Sequence, residues 1–223
     1  MEKIDWLKKQ SPHYAFHFLV NSLAQKDINS VILKQEKWYK KIIRTLNVEN
    51  KRKISYYLYP SRALKKQETQ DGGNAHTVWK NFEIHTIYNQ KLKILGPHED
   101  THLLTLDWGI SIGLFREGLA EYLHSNWHGK PHNFWAKKFF KRGSVSLTEL
   151  INNNFFYALD PNLAYPVAGS LAKFLIKQYG LAKFKKAYGS LDKNNSDQKN
   201  IKIIEKIYQR SLKDLETSWH SKI

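Results

Sequence analysis

FEIHTIYNQKLKILGPHEDTHLL (residues 82–104) holds the change of period that decides the fold. In its first part Phe82, Ile84, Thr86 and Tyr88 alternate with Glu83, His85 and Ile87, the two-residue period of a strand. After Gly96-Pro97 the period becomes helical, and Pro97 suits the first helical position, where its missing N–H costs nothing. Within the new helix His98 and His102 are spaced i, i+4, with Glu99 directly after the first. That spacing puts both imidazoles on one face, where they can reach one ion.

Upstream, residues 12–46 carry two helical patterns. In the second, Ile28, Val31, Ile32, Gln35, Trp38, Tyr39, Ile42, Ile43 and Leu46 recur at three- and four-residue steps. KISYYLYPS (53–61) is rich in β-formers and reads as a strand ending at Pro60. TQDGGNAH (69–76) reads as a turn or loop, and VWKNFEIHTIYNQ (78–90) as one or two strands. Downstream the chain is mostly helix, over about 97–107, 114–127, 133–141, 163–179, 181–189 and 198–215, with SLTE (146–149) as a capping-box signature. Helices, a few strands, then many helices predict an α+β fold: a small mixed β-sheet followed by a mainly helical part. The expected organisation is a single domain over 1–223, with helices in 12–46, strands at about 53–90, metal-site helices in 97–127 and C-terminal helices in 133–215.

The bulk composition narrows the chemistry. Hydrophobic residues make up 41% and aromatics 13%, enough to bury a core. With no cysteine, disulfides and thiolate metal sites are excluded, so any metal must be held by His, Asp or Glu. HEDTH (98–102) matches the H-E-x-x-H pattern of a zinc site, and Glu99 is placed to reach a water on the metal. A catalytic zinc usually takes three protein ligands and keeps one open position. GLFREGLAEYL (113–123) offers Glu117 and Glu121, four apart on a helix whose apolar face carries Leu114, Phe115, Leu119, Tyr122 and Leu123. Counting along the chain favours Glu121 as the third ligand.

HEDTH followed by FREGLAEYL resembles the gluzincin metallopeptidases, and most of all their compact peptidase MA-like domains, in which H-E-x-x-H is followed by E-G-x-A-x-Y. LAYPVAGSLAKFLIKQYG (163–180), IYQRSLKDLETSW (207–219) and QEKWYKKIIRTLNV (35–48) are similar to other helices of those domains, so the resemblance spans nearly the whole chain. It implies a thermolysin-like catalytic core, one Zn(2+) per chain, and His98, His102 and Glu117 as ligands, because the family's ligand glutamate precedes the glycine. It implies Glu121 as a group outside the ligand set that holds a ligand histidine, Glu99 as general base and then acid, and Tyr165 as a donor to the oxyanion. It also implies a strand edge around Phe82, Ile84, His85 and Thr86 that binds the substrate backbone. The implied activity is hydrolysis of peptide bonds in a peptide or protein substrate. The chain lacks the G-x-M-E-N run of the zinc aminopeptidases, which favours an endopeptidase. Three departures stand out: the short connection 103–116, a charged Asp100 inside the motif, and Pro97 directly before the first ligand.

A net charge of +16 permits attraction to nucleic acid or anionic surfaces, but the lysines are spread along helices and read as a solvated face. NFWAKKFFKRG (133–143) mixes aromatics with cations and reads as an amphipathic helix packing its rings. His124, His128 and His132 read as solvated histidines. The alternative function is a non-hydrolytic binder on the same fold, either a metal-bound scaffold or a basic nucleic-acid or anionic-surface binder. No apolar run is long enough for a membrane span and MEKIDWLKKQSPHYAF has no signal core, so the chain as given reads as cytoplasmic; a removed leader would make it secreted or surface-attached. Oligomeric state is not legible in the sequence.

Overall fold

The computed structural model describes residues 5–124, 126–142 and 145–223. The MEKI start, Ser125 of the helix expected over 114–127 and Gly143 of NFWAKKFFKRG lie outside the described residues. The chain divides into two compact units, residues 1–105 and 106–223.

The first unit runs β1 (Leu7–Gln10), β2 (Tyr14–Phe18), α1 (Leu23–Leu46), β3 (Ile54–Tyr59), α2 (Arg62–Thr69), β4 (Ala75–Val78), β5 (Glu83–Ile87) and α3 (His98–Leu104). Its five strands form one mixed sheet in the order β1-β2-β3-β5-β4. β2, β3 and β5 are parallel, and the outer strands β1 and β4 are antiparallel to their neighbours. The register aligns Phe16, Tyr56 and Ile84, and next to them Phe18, Leu58 and Thr86, on one face. All six are buried, and α1 contributes Ile28, Val31, Tyr39, Ile42 and Leu46 to the same core.

The sheet corrects the reading of residues 12–46 as two helical patterns. Tyr14–Phe18 is a strand, because Tyr14, Phe16 and Phe18 are β-formers whose alternation fits the sheet's buried face. The helix starts later, where the Ser22 side chain accepts from the Gln25 N–H and ends the extended segment. The helix α2, absent from the sequence reading, starts in the same way at Ser61.

The opposite face carries a row of rings. Lys8, His17, Tyr57, His85 and His76 are successive cross-strand partners from β1 to β4. Tyr57 stacks on His17 at 4.3 Å and on His85 at 4.7 Å, and His85 stacks on His76 at 5.0 Å. Beside this row Lys65 of α2 is fully buried and bonded to Asp71 at 2.5 Å, so its charge is neutralised where water cannot reach it.

The second unit begins with a 3₁₀ turn (Leu106–Trp108) and α4 (Gly113–His124). A two-stranded ribbon of β6 (Asn126–Trp127) and β7 (Lys130–Pro131) precedes α5 (His132–Arg142), α6 (Leu147–Ile151) and α7 (Asn153–Ala158). Then come α8 (Pro161–Tyr179), α9 (Leu181–Ser190), α10 (Asp197–Tyr208) and α11 (Leu212–His220). The capping box at Ser146 is formed in full. The helix expected over 198–215 is two helices, because Gln209 takes a left-handed conformation at φ 55° and Ser211 caps a new start. The helix expected over 97–107 is shorter, and its tail is the 3₁₀ turn.

The second unit's core centres on α8 against α4. Val167, Ala168, Leu171 and Ala172 meet Leu114, Phe115, Leu119 and Ala120, all buried. The two backbones approach closely at Gly118, where an added Cβ would lie 2.7 Å from the Ala168 carbonyl oxygen. The glycine after Glu117 therefore serves helix packing. Among the described residues no helix is long and apolar enough to cross a membrane.

Gly118→Ala tests this contact. The substitution gains about 1 kcal/mol of helix propensity, whereas overpacking against a backbone costs about 1–3 kcal/mol. The variant is expected to unfold at a lower urea midpoint than wild type; an equal or higher midpoint contradicts the close approach.

Candidate metal centre

Helix α3 has seven residues, HEDTHLL, and starts at His98 with Pro97 as its N-cap. Its inward side is fixed by polar contacts. Asp100 is fully buried and accepts from the Tyr14 hydroxyl of β2 and from Gln35 Nε2 of α1 at 3.0 Å. Burial, with a further push from the Glu99 charge, raises its carboxyl to about 7 despite the pull of the Tyr14 hydrogen bond. The charge in the motif's third position is thus an interior anchor for the helix. Thr101, also buried, donates its hydroxyl to the Pro97 carbonyl at 2.7 Å and tightens the first turn.

With Asp100 and Thr101 turned inward, His98 and His102 share the remaining face. Their rings meet edge to face with centroids 4.9 Å apart. Both residues are half-buried, and Nδ1 of His102 is shut away from solvent. Glu99 is half-buried on the neighbouring sector of the helix.

On α4, Glu117 is buried and its Oε1 collects two donors, Arg116 Nε at 3.1 Å and the Tyr157 hydroxyl at 2.8 Å. Arg116 Nη2 in turn donates to the Tyr157 oxygen at 2.6 Å. Burial and the Glu117 charge hold the Tyr157 phenol in its neutral form, well above the usual tyrosine range. One turn on, Glu121 is fully buried, with its Oε2 3.2 Å from His132 Nε2 and 4.0 Å from His124 Nδ1. His132 is itself 1% exposed, which corrects its reading as a solvated histidine. The physical cause is the start of α5, which inserts the imidazole beside Gly169, where an added Cβ would lie 3.2 Å from the ring.

His98 and His102 of the first unit offer two imidazoles, and Glu117 of the second offers a buried carboxylate. Two imidazoles and one carboxylate form a donor set that suits zinc, so the residues present fit the ion the resemblance implies.

The other expected residues are placed as follows. Tyr165 of α8 is half-buried, its ring parallel to Phe156 with centroids 6.3 Å apart and at the same separation from Trp127. Phe82 is buried at a positive φ of 62°, with the Arg52 guanidinium 4.3 Å above its ring. Ile84 and Thr86 face the core, and Thr86 donates to the Ile94 carbonyl at 2.8 Å. His85 lies in the ring row, its Nδ1 2.9 Å from the Tyr59 hydroxyl. The expectation of a free strand edge at Phe82–Thr86 is corrected. β5 is bonded on both sides, to β3 and to β4, so its backbone groups are used inside the sheet. The edge strands of the sheet are β1 and β4, and residues 75–76 of β4 fall in the stretch expected to be a loop.

Sequence reasoning missed Tyr157, because nothing local marks a tyrosine 40 positions from the glutamate it binds. Arg116 had a signal in its adjacency to Glu117. No family model matches the chain, and no curated protein matches its sequence.

His76, in the ring row, provides a pH test. Burial, and then the Lys65 charge, lower its imidazole to about 4, below the ordinary value near 6.5. The fold keeps His76 neutral while the unfolded chain takes up a proton as soon as pH falls below about 6.5, so this contribution is whole above that pH and is lost as pH falls through about 4. His17 and His85 are lowered in the same direction, burial first. The thermal midpoint of wild type is expected to drop more steeply than that of His76→Gln between those pH values; parallel curves contradict the assignment.

Proposed function

We propose that the chain is a zinc-dependent metallopeptidase of gluzincin type with a thermolysin-like core, acting as an endopeptidase. The observation that carries this reading is the pairing of His98 and His102 on one face of α3, their ring centroids 4.9 Å apart, with Glu99 directly after the first; α4 offers the buried Glu117 carboxylate as the third ligand. The α+β arrangement of a mixed sheet followed by helices supports the core assignment. A bound zinc ion would act as a Lewis acid and activate water at neutral pH. Glu99, on the sector of α3 beside the ligands, takes the proton of the attacking water and returns it to the leaving amine. In this reading the oxyanion donor is the Tyr165 hydroxyl, its ring held by Phe156 and Trp127. The free edge of β4 gives an extended peptide backbone a strand to pair with.

A general base separates this reading from a metal-bound scaffold. Glu99→Gln is expected to keep the zinc content of wild type and to lose turnover of an unstructured protein substrate by about a hundred- to ten-thousandfold. His102→Ala is expected to lose the metal itself by elemental analysis. Equal turnover by Glu99→Gln removes that residue from the mechanism, and full metal retention by His102→Ala overturns the site.

A second reading, a non-hydrolytic binder of anionic surfaces, is favoured by one feature. Lys34, Lys37, Lys40 and Arg44 are exposed on α1 beside Leu33, which is 73% exposed, and Trp38, whose ring lies 4.5 Å from Lys41 Nζ. Binding to nucleic acid that weakens steeply with salt, in a zinc-loaded protein without hydrolytic activity, is the outcome this reading requires.

A further inference from the structure

Residues 126–142, NWHGKPHNFWAKKFFKR, hold Lys130, Lys137, Lys138, Lys141 and Arg142 among Phe and Trp side chains, and no acidic residue. The stretch begins as a hairpin. Trp127 pairs with Lys130, and His128 and Gly129 between them sit at positive φ of 47° and 74°, the combination a tight two-residue turn requires. Trp135 Nε1 donates to the Trp127 carbonyl at 2.8 Å and fixes the hairpin on the first turn of α5. The turn thereby brings Lys130 Nζ to 5.7 Å from the Phe134 ring.

α5 then divides its side chains between two faces. His132, Ala136 and Phe139, at steps of four and three, are buried where the helix packs on α8. Phe134, Lys137, Lys138 and Lys141 recur at the same steps on the opposite face, and all four are exposed. The expectation that NFWAKKFFKRG packs its rings thus holds for Phe139 and fails for Phe134, which is 47% exposed. Phe134 meets Trp135 edge to face at 5.5 Å, and Lys138 Nζ lies 5.2 Å from the Trp135 ring, so rings and cations form one continuous surface. Among the described residues none of the four lysines has an acidic partner. Lys137 and Lys141 repel each other at i, i+4, and the Phe134 ring stands in water. An anionic surface with an apolar layer beneath it relieves both costs at once.

We propose that the outer face of α5, together with the β6–β7 hairpin, docks the chain on an anionic phospholipid bilayer. Phe134 enters the boundary between headgroups and acyl chains, and Lys130, Lys137, Lys138 and Lys141 meet the lipid phosphates around it. A ring without a polar atom set among cations matches the bilayer interface, where an anionic layer lies directly over an apolar one. Single-stranded nucleic acid carries the same charge, but it binds by stacking successive bases on open ring faces. Here Lys130 stands over the Phe134 ring and Lys138 over the Trp135 ring, and the two rings meet each other edge to face. The proposal is independent of the zinc reading, and its lysines are separate from those of α1.

The experiment is co-sedimentation of the full chain with vesicles of phosphatidylcholine alone and of equal parts phosphatidylcholine and phosphatidylserine. Wild type is compared with Phe134→Ser, with the triple variant Lys137→Glu, Lys138→Glu, Lys141→Glu, and with the triple variant Lys199→Glu, Lys202→Glu, Lys206→Glu on the exposed side of α10. The two triple variants change the net charge equally. Every substituted side chain is exposed, so each variant is expected to keep the wild-type thermal midpoint, measured alongside. Wild type is expected to bind the mixed vesicles and not phosphatidylcholine alone. Phe134→Ser is expected to weaken that binding by roughly tenfold, from the loss of one part-buried ring. The α5 triple variant is expected to weaken it by at least about a hundredfold, from about fivefold for each lysine at an anionic surface. The α10 triple variant is expected to stay close to wild type. Equal losses in the two triple variants overturn the proposal, because net charge alone then explains the binding. Wild-type binding by Phe134→Ser overturns the entry of the ring. A wild type that binds a single-stranded oligonucleotide and ignores the mixed vesicles overturns the bilayer as the partner.

Discussion

Asp100 is the contact on which the placement of the two motif histidines depends. A carboxyl with no exposed surface is costly to keep ionised, and burial pushes this one up to about 7. Its two donors come from separate elements, the Tyr14 hydroxyl from β2 and the Gln35 amide from α1. A seven-residue helix has too few internal hydrogen bonds to hold its own orientation, so α3 takes it from this anchor. Tyr14 adds a hydrogen bond to the Gln35 backbone carbonyl at 3.3 Å, which ties strand and long helix to each other as well. Once Asp100 and Thr101 are committed inward, helical periodicity turns His98 and His102 the other way.

In the second unit the corresponding constraint is steric. α4 lies against α8 through Gly118 and Gly169, where added side-chain carbons would lie 2.7 Å from the Ala168 carbonyl oxygen and from Glu121 Cβ. Close packing of this kind leaves no room for water around Glu117 and Glu121, so each buried carboxylate must be met by protein donors. Glu117 has Arg116 and Tyr157, and Glu121 has His132. Two acids one helical turn apart thus have different partners.

The sheet carries a different kind of chemistry. Its buried face is an ordinary apolar core, while its other face sets His17, Tyr57, His85 and His76 in a stacked cross-strand row with Lys8 at one end and Lys65 near the other. Cations at both ends and burial along the row all disfavour protonation, so the imidazoles stay neutral in the fold at pH values where free histidine is charged. Net charge and histidine count alone carry no trace of this, since it arises from the register of four strands.

What the sequence by itself determined is local. The switch from a two-residue period to a helical one at Gly96-Pro97, the i, i+4 spacing of His98 and His102, the Ser146 capping box and the α+β order are all legible because each rests on residues within about one helical turn of one another. The tertiary structure decided what depends on distant partners. Tyr14–Phe18 is a strand because Ile54–Leu58 lies beside it in register, and a helical pattern over five residues cannot outweigh a sheet that buries its rings. β5 is an inner strand and β4 an edge strand because only pairing order says which strands are outermost. Asp100 became an anchor through Tyr14, 86 positions away, and Glu117 acquired Tyr157 from 40 positions away. Such contacts are fixed by packing, and no spacing rule over a few residues encodes them.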